Sequence, residues 1–202
     1  EGLCRDERIL LHGQVLPNVG SLGSVLRAME DTVSHHPIRA WKTFTHFPDF
    51  FDPGAGAWWL DDHERGLPAV GEPFIRKSLE LGIPTICVHK GLSGGSRYSS
   101  PMDVGPAART HRDANFVVYH SGYESGTLEG PYTAVTAAVG VNRLIASLER
   151  AGIGPNENVY AELGTTWWNV MRTPTQAAHV LGKLLKHVGE DNVVWGTDCL
   201  FY

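Results

Sequence analysis

The stretch IPTICVHKG, residues 83–91, decides the fold. It is a short apolar run, rich in β-branched residues, that closes on histidine, lysine and glycine. Side chains alternate along a strand, so His89 shares a face with Cys87 and Thr85, while Ile86 and Val88 take the other. The purely apolar face is suited to pack on helices. The face that ends in an imidazole needs a polar outlet. Helix-like segments stand on either side. GEPFIRKSLELG (71–82) reads as a short helix with Pro73 near its start, and PMDVGPAARTHRDA (101–114) as a weaker one.

Working outward, the same unit recurs. RILLHGQVLP (8–17), IRAWKTFT (38–45), NFVVYHSGY (115–123), NVYAELG (158–164) and NVVWGTD (192–198) read as further strands. SLGSVLRAMEDTVSHH (21–36) reads as a helix capped by Ser21, with Leu22, Val25, Leu26 and Met29 on one face. VGVNRLIASLERAG (139–152) is a helix that stops at Gly152. TPTQAAHVLGKLLKHVG (173–189) is the best-marked helix: Thr173 caps it, Pro174 holds its first position, and Val180, Leu181, Leu184, Leu185 and Val188 form its apolar stripe. Six strands alternating with helices predict an α/β fold with a parallel sheet. The chain reads as one unit over 1–202, with the Pro/Gly-rich segment 46–70 as a loop insertion.

Polar residues sit near the C-terminal ends of these strands. By the same alternation, His120 goes with Val118, Glu162 with Tyr160, Asp198 with Gly196 and Val194, and Lys42 with Ala40. That face is expected to point into a barrel. Lys42, His89, His120, Glu162 and Asp198 would then converge at the mouth, where α/β barrels place their chemistry. Taken alone, a strand histidine is more often a hydrogen-bonded core residue, and a strand lysine or glutamate often reaches solvent. The recurrence of one offset in successive units argues for a site. Imidazole and carboxylate suit zinc or a similar divalent ion, and such a cluster without one would bury a costly charge.

Composition narrows the rest. A net charge of -5 gives no reason to expect nucleic acid or an anionic membrane surface as a partner, and no apolar run is long enough to span a bilayer. Cys4, Cys87 and Cys199 make neither a disulfide framework nor a CxxC pair, which fits a reducing, cytoplasmic setting. Cys87 and Cys199 read as small buried hydrophobes. GLSGGS (91–96) lacks the phosphate-loop pattern and reads as a βα loop. HERG (63–66), His111, His179 and His187 read as surface or helix positions without a role. Among six tryptophans, the doublets Trp58-Trp59 and Trp167-Trp168 fall on loops after strands, where they either wall a ring-bearing substrate or cover the insertion.

The segments GQVLP, IRAWKTF, LGIPTICVHKG, FVVYHSGYE, NVYAELGT and NVVWGTDCLFY together resemble the amidohydrolase superfamily, in its amidohydrolase-related branch of metal-dependent hydrolases and decarboxylases. The order His89, His120, Asp198, with Gly-Thr before the aspartate, carries the resemblance. It implies a (β/α)8 TIM-barrel-like fold, incomplete here, with the strands ending at His89, His120, Glu162 and Asp198 as strands five to eight. It further implies His89 as a metal ligand, and His120 as a second ligand or an active-site histidine beside the metal. Asp198 would bind metal and take a proton from the attacking water. Some superfamily members carry a bridging carboxylated lysine where Lys42 lies, but this branch usually does not. The family's H-x-H pair on strand one has no counterpart here. The adjacent His35-His36 pair cannot stand in for it, so the chain reads as strands three to eight of a longer barrel.

The expected function is therefore metal-dependent hydrolysis of a carbonyl-type C–N or C–O bond, with Asp198 and His120 catalytic. His89, His120 and Asp198 would be the ligands of a divalent ion, zinc foremost, with manganese or another divalent ion as the alternatives. Lys42, Glu162, Trp167 and Trp168 would meet a small-molecule substrate. The alternatives are non-oxidative decarboxylation of a carboxylated aromatic or enoate, and a non-catalytic partial barrel. Self-association into a homo-oligomer is compatible with the sequence.

Overall fold

The computed structural model describes residues 8–49, 56–62, 69–92, 96–126 and 128–198. Six parallel strands form one sheet in sequential order: β1 (Leu11–Gln14), β2 (Ile38–Phe44), β3 (Thr85–His89), β4 (Asn115–Tyr119), β5 (Val159–Glu162) and β6 (Val193–Val194). Helices α1 (Leu22–His35), α2 (Gly71–Glu80), α3 (Val104–Thr110), α4 (Asn142–Ala151), α5 (Gly164–Val170) and α6 (Pro174–His187) occupy the crossovers. Parallel neighbours need such connections, because a tight turn cannot bring the chain back in the same direction. β1 and β6 are not paired to each other, so the sheet is an open arc of a barrel.

The register lines up one row of interior residues. Gln14 pairs with Lys42, Lys42 with Cys87, Cys87 with Val117, and Val117 with Tyr160. One row nearer the strand ends, Phe44 pairs with His89 and His89 with Tyr119. On the opposite face Trp41, Ile86, Val88, Phe116, Val118 and Ala161 are fully buried against the helices. Burying side chains of this size contributes ~1.5–3 kcal/mol each, so the helical layer holds the arc together.

Local signals account for most boundaries. The Ser21 hydroxyl accepts from the Ser24 N–H at the start of α1. Gly152, in a left-handed conformation, ends α4. Several expectations are corrected. Thr173 occupies the N-cap of α6, but its side chain makes no capping bond. Leu185 is 48% exposed and lies outside the buried stripe of α6. The expected loop after β5 is helix α5, so Trp167 and Trp168 sit on a helix. The last strand is two residues long, and β4 stops at Tyr119.

Segment 56–62 packs into the core. Trp58 and Leu60 are buried, and the Trp58 ring meets Phe74 at 5.8 Å. Its anchor is a fully buried ion pair: Lys90 Nζ lies 2.7 Å from Asp103 Oδ1, while Asp103 Oδ2 accepts the Leu60 N–H at 2.8 Å. His111, at the C-terminal end of α3, is buried and pairs with Glu72 through its Nε2 at 2.5 Å. HERG, residues 93–95 of GLSGGS, Cys4 and Cys199 lie outside the described residues. Among the described residues no helix is long and apolar enough to cross a membrane.

Candidate functional site

Three histidine rings cluster at the C-terminal rim of β2, β3 and β4, edge-to-face or tilted against one another. His89, the last residue of β3, lies 4.6 Å from the His120 ring and 4.8 Å from the His46 ring, centroid to centroid. The Phe44 ring lies against His89 at 5.5 Å. His89 arrives by simple alternation, on the face of Thr85 and Cys87, as the sequence predicts.

His120 arrives by another route. In β4 the alternation sends Phe116 and Val118 to the helices, and Asn115, Val117 and Tyr119 to the interior. Continued one residue further, the strand would aim His120 at the helical shell, so the predicted pairing with Val118 put it on the wrong face. A turn spanning His120–Gly122 corrects the direction, with φ of 58°, 50° and 62° at its three residues. Left-handed conformations at His120 and Ser121 cost on the order of 1–3 kcal/mol each and persist only when neighbours enforce them. Here the His120 N–H donates to Glu162 Oε2 at 3.0 Å, the Ser121 hydroxyl donates to the Glu162 carbonyl at 2.9 Å, and the Thr166 hydroxyl donates to the His120 carbonyl at 2.5 Å. Glu162 thus spends its carboxylate on holding this turn.

Asp198 follows β6 and is itself left-handed, with φ of 49°. The Thr165 hydroxyl donates to its Oδ2, and that oxygen stands 3.9 Å from His120 Nδ1. This is too long for a hydrogen bond and close enough to flank a shared guest. A Cβ on Gly196 would come 1.8 Å from Glu162 Oε1, which explains the glycine two residues before the aspartate.

Burial governs the charges. It draws the His89 pKa down to about 2 and that of His46 to about 4, and it lowers that of His120 as well. All three imidazoles are neutral at pH 7, the form that ligates metals. His89 Nε2 and His120 Nδ1 are buried without a hydrogen-bond partner. Such an orphan atom costs ~1–3 kcal/mol, which a ligand can recover. Burial raises the pKa of Glu162, and the His120 and Gly164 backbone N–H groups act against it. Lys42 lies within the interior, its ammonium 3.5 Å from the Tyr119 ring centroid and 4.5 Å from that of Phe44. Burial draws its pKa down to about 8.

These donors fit a divalent ion in kind: two unpartnered imidazole nitrogens with a carboxylate beside one of them. Among the described residues, no three or more His, Cys, Asp or Glu side chains are gathered tightly enough to hold an ion by themselves. The structure brings the His89 and His120 rings together and sets the Asp198 carboxylate beside His120, with Glu162 bound to the His120 backbone. Trp167 packs on the core, its ring 6.1 Å from Trp195, while Trp168 is 61% exposed. Trp58 belongs to the core, not to a substrate wall. His46 was missed, although its signal was present: Lys42, Phe44 and His46 alternate on one face, and assigning residue 46 to the loop hid the third member.

The chain matches a family model described as Amidohydrolase over residues 12–201, and it belongs to that family. The family is one of metal-dependent TIM-barrel hydrolases and decarboxylases. A solved structure of an uncharacterised TIM-barrel protein from Bordetella bronchiseptica superposes with a TM-score of 0.59 at 14% identity, covering 93% of this chain and 53% of the other. The chain therefore spans about half the length of that barrel, and the likeness shows the fold. No curated protein sequence matches.

Proposed function

We propose that this chain carries part of the active site of a metal-dependent hydrolase that cleaves a carbonyl-type C–N or C–O bond in a small molecule. One observation supports the reading above the rest. The unpartnered Nε2 of His89 and Nδ1 of His120 belong to rings 4.6 Å apart, and the Asp198 carboxylate lies 3.9 Å from the second. The proposed ligands of a divalent ion, zinc by preference, are His89, His120 and Asp198. Such an ion supplies Lewis acidity and a water acidified toward ~7.

The chain's own residues do the remainder. Asp198 is half-exposed, so water can reach it, and Oδ1 is left to take the water's proton while Thr165 holds Oδ2. His120, its backbone fixed by Glu162 and Thr166, would present the lone pair of Nδ1 to the divalent ion and so keep it beside Asp198. His46 and Phe44 hold the His89 ring against rotation.

The test is turnover of a panel of esters, lactones and amides by the zinc-loaded chain. Hydrolysis is expected, falling ~10²–10⁴-fold in Asp198→Asn, the usual share of a general base. Release of CO2 from a carboxylated aromatic, without hydrolysis, would replace the reading with decarboxylation. No bound metal and no turnover would leave a non-catalytic barrel segment.

A further inference from the structure

Lys42 is the group at this site that the proposed chemistry leaves unused. Its Nζ is buried and has no hydrogen-bond partner, whereas the other buried ammoniums are engaged: Lys90 with Asp103, and Lys183 with Glu129 and Asn142. A cation withdrawn from water is costly unless something pairs with it. The Tyr119 and Phe44 rings, at 3.5 and 4.5 Å, compensate only in part, since a cation–π contact is worth a fraction of an ion pair.

We propose that Lys42 anchors a carboxylate on the substrate, one distinct from the bond that reacts. Register supports the placement. The Lys42 backbone pairs with Cys87, two residues before His89 on β3, and its ammonium lies against the rings of Phe44 and Tyr119, the residues that pair with His89 on either side. A substrate held there by an anionic end presents its other end to His89, His120 and Asp198. The anion is a carboxylate and not a phosphate. The Glu162 and Asp198 carboxylates act on Lys42 and would repel a dianion more strongly than a single negative charge. The flanking rings favour a planar acid. With its pKa lowered only to about 8, Lys42 still carries its proton at neutral pH.

This inference rests on the interior being a substrate site, and its test needs no turnover. Benzoate and its neutral isostere benzamide are titrated into the metal-free chain by calorimetry and by amide NMR. The wild type is expected to bind benzoate at least tenfold more tightly, with shifts at Phe44, Cys87 and Tyr119. Lys42→Met should lose that preference, keep benzamide affinity within about twofold and melt no lower, while Lys42→Arg should retain most of it. An unfolded Lys42→Met, equal affinity of wild type and Lys42→Met for benzoate, or no benzoate preference in the wild type would each overturn the proposal. A chain that prefers benzoate through Lys42 yet hydrolyses nothing would keep the anchor and discard the hydrolase. Hydrolysis without that preference would do the reverse.

Discussion

At the scale of the residue, the site is built by a few side chains that hold others in costly positions. Glu162 is the clearest case. Its carboxylate secures the left-handed His120 turn and leaves no room for a side chain at residue 196. Gly196→Ala is therefore expected to displace the Glu162 carboxylate and to free His120. Thermal melts should show destabilisation of ~1–3 kcal/mol, the range for overpacking a tight site. The NMR signals of His120 and Ser121 should move while those of the distant α4 stay put. An unchanged spectrum at residues 120–121 would remove Glu162 from its positioning role.

At the scale of the element, buried ion pairs fasten the connections that carry the rim. Lys183 on α6 reaches Glu129, which also accepts the Val141 N–H at 2.9 Å, and so ties the segment before α4 to α6. Removing one partner strands a buried charge, so Lys183→Met should cost ~3–5 kcal/mol in urea unfolding. Lys183→Met combined with Glu129→Gln should cost less than the single change. Equal losses in both would mean that the pair contributes through shape alone. Sequence legibility divides along the same lines. His89 could be read because a regular strand carries it, and period two is a property of the backbone. His120 was read from the wrong face of β4, since no periodicity announces a left-handed turn at non-glycine residues. Asp198 lies four residues beyond the end of β6, held by Thr165 and not by a strand. The Lys90–Asp103 pair spans 13 residues, a contact that only packing reveals.

At the scale of the whole molecule, the open arc gathers neutral imidazoles that the unfolded chain would protonate. His46 and His89 have folded pKa values of about 4 and about 2, against an ordinary 6.5. Between these limits the unfolded state binds more protons than the folded one, so stability rises with pH. The metal-free chain should therefore lose stability as pH falls below about 6.5, by at most about 1.4 kcal/mol per histidine per pH unit. Urea midpoints between pH 7.5 and pH 5 should show the slope, and His46→Phe should reduce it. A flat profile would mean that the imidazoles are solvated. The central claim, that His89, His120 and Asp198 flank one divalent ion, is tested most directly by a crystal of the zinc-soaked chain with data at the zinc absorption edge. The account predicts an anomalous peak between His89 Nε2, His120 Nδ1 and the Asp198 carboxylate. A map with no peak there, or with zinc held only at other histidines, would contradict it.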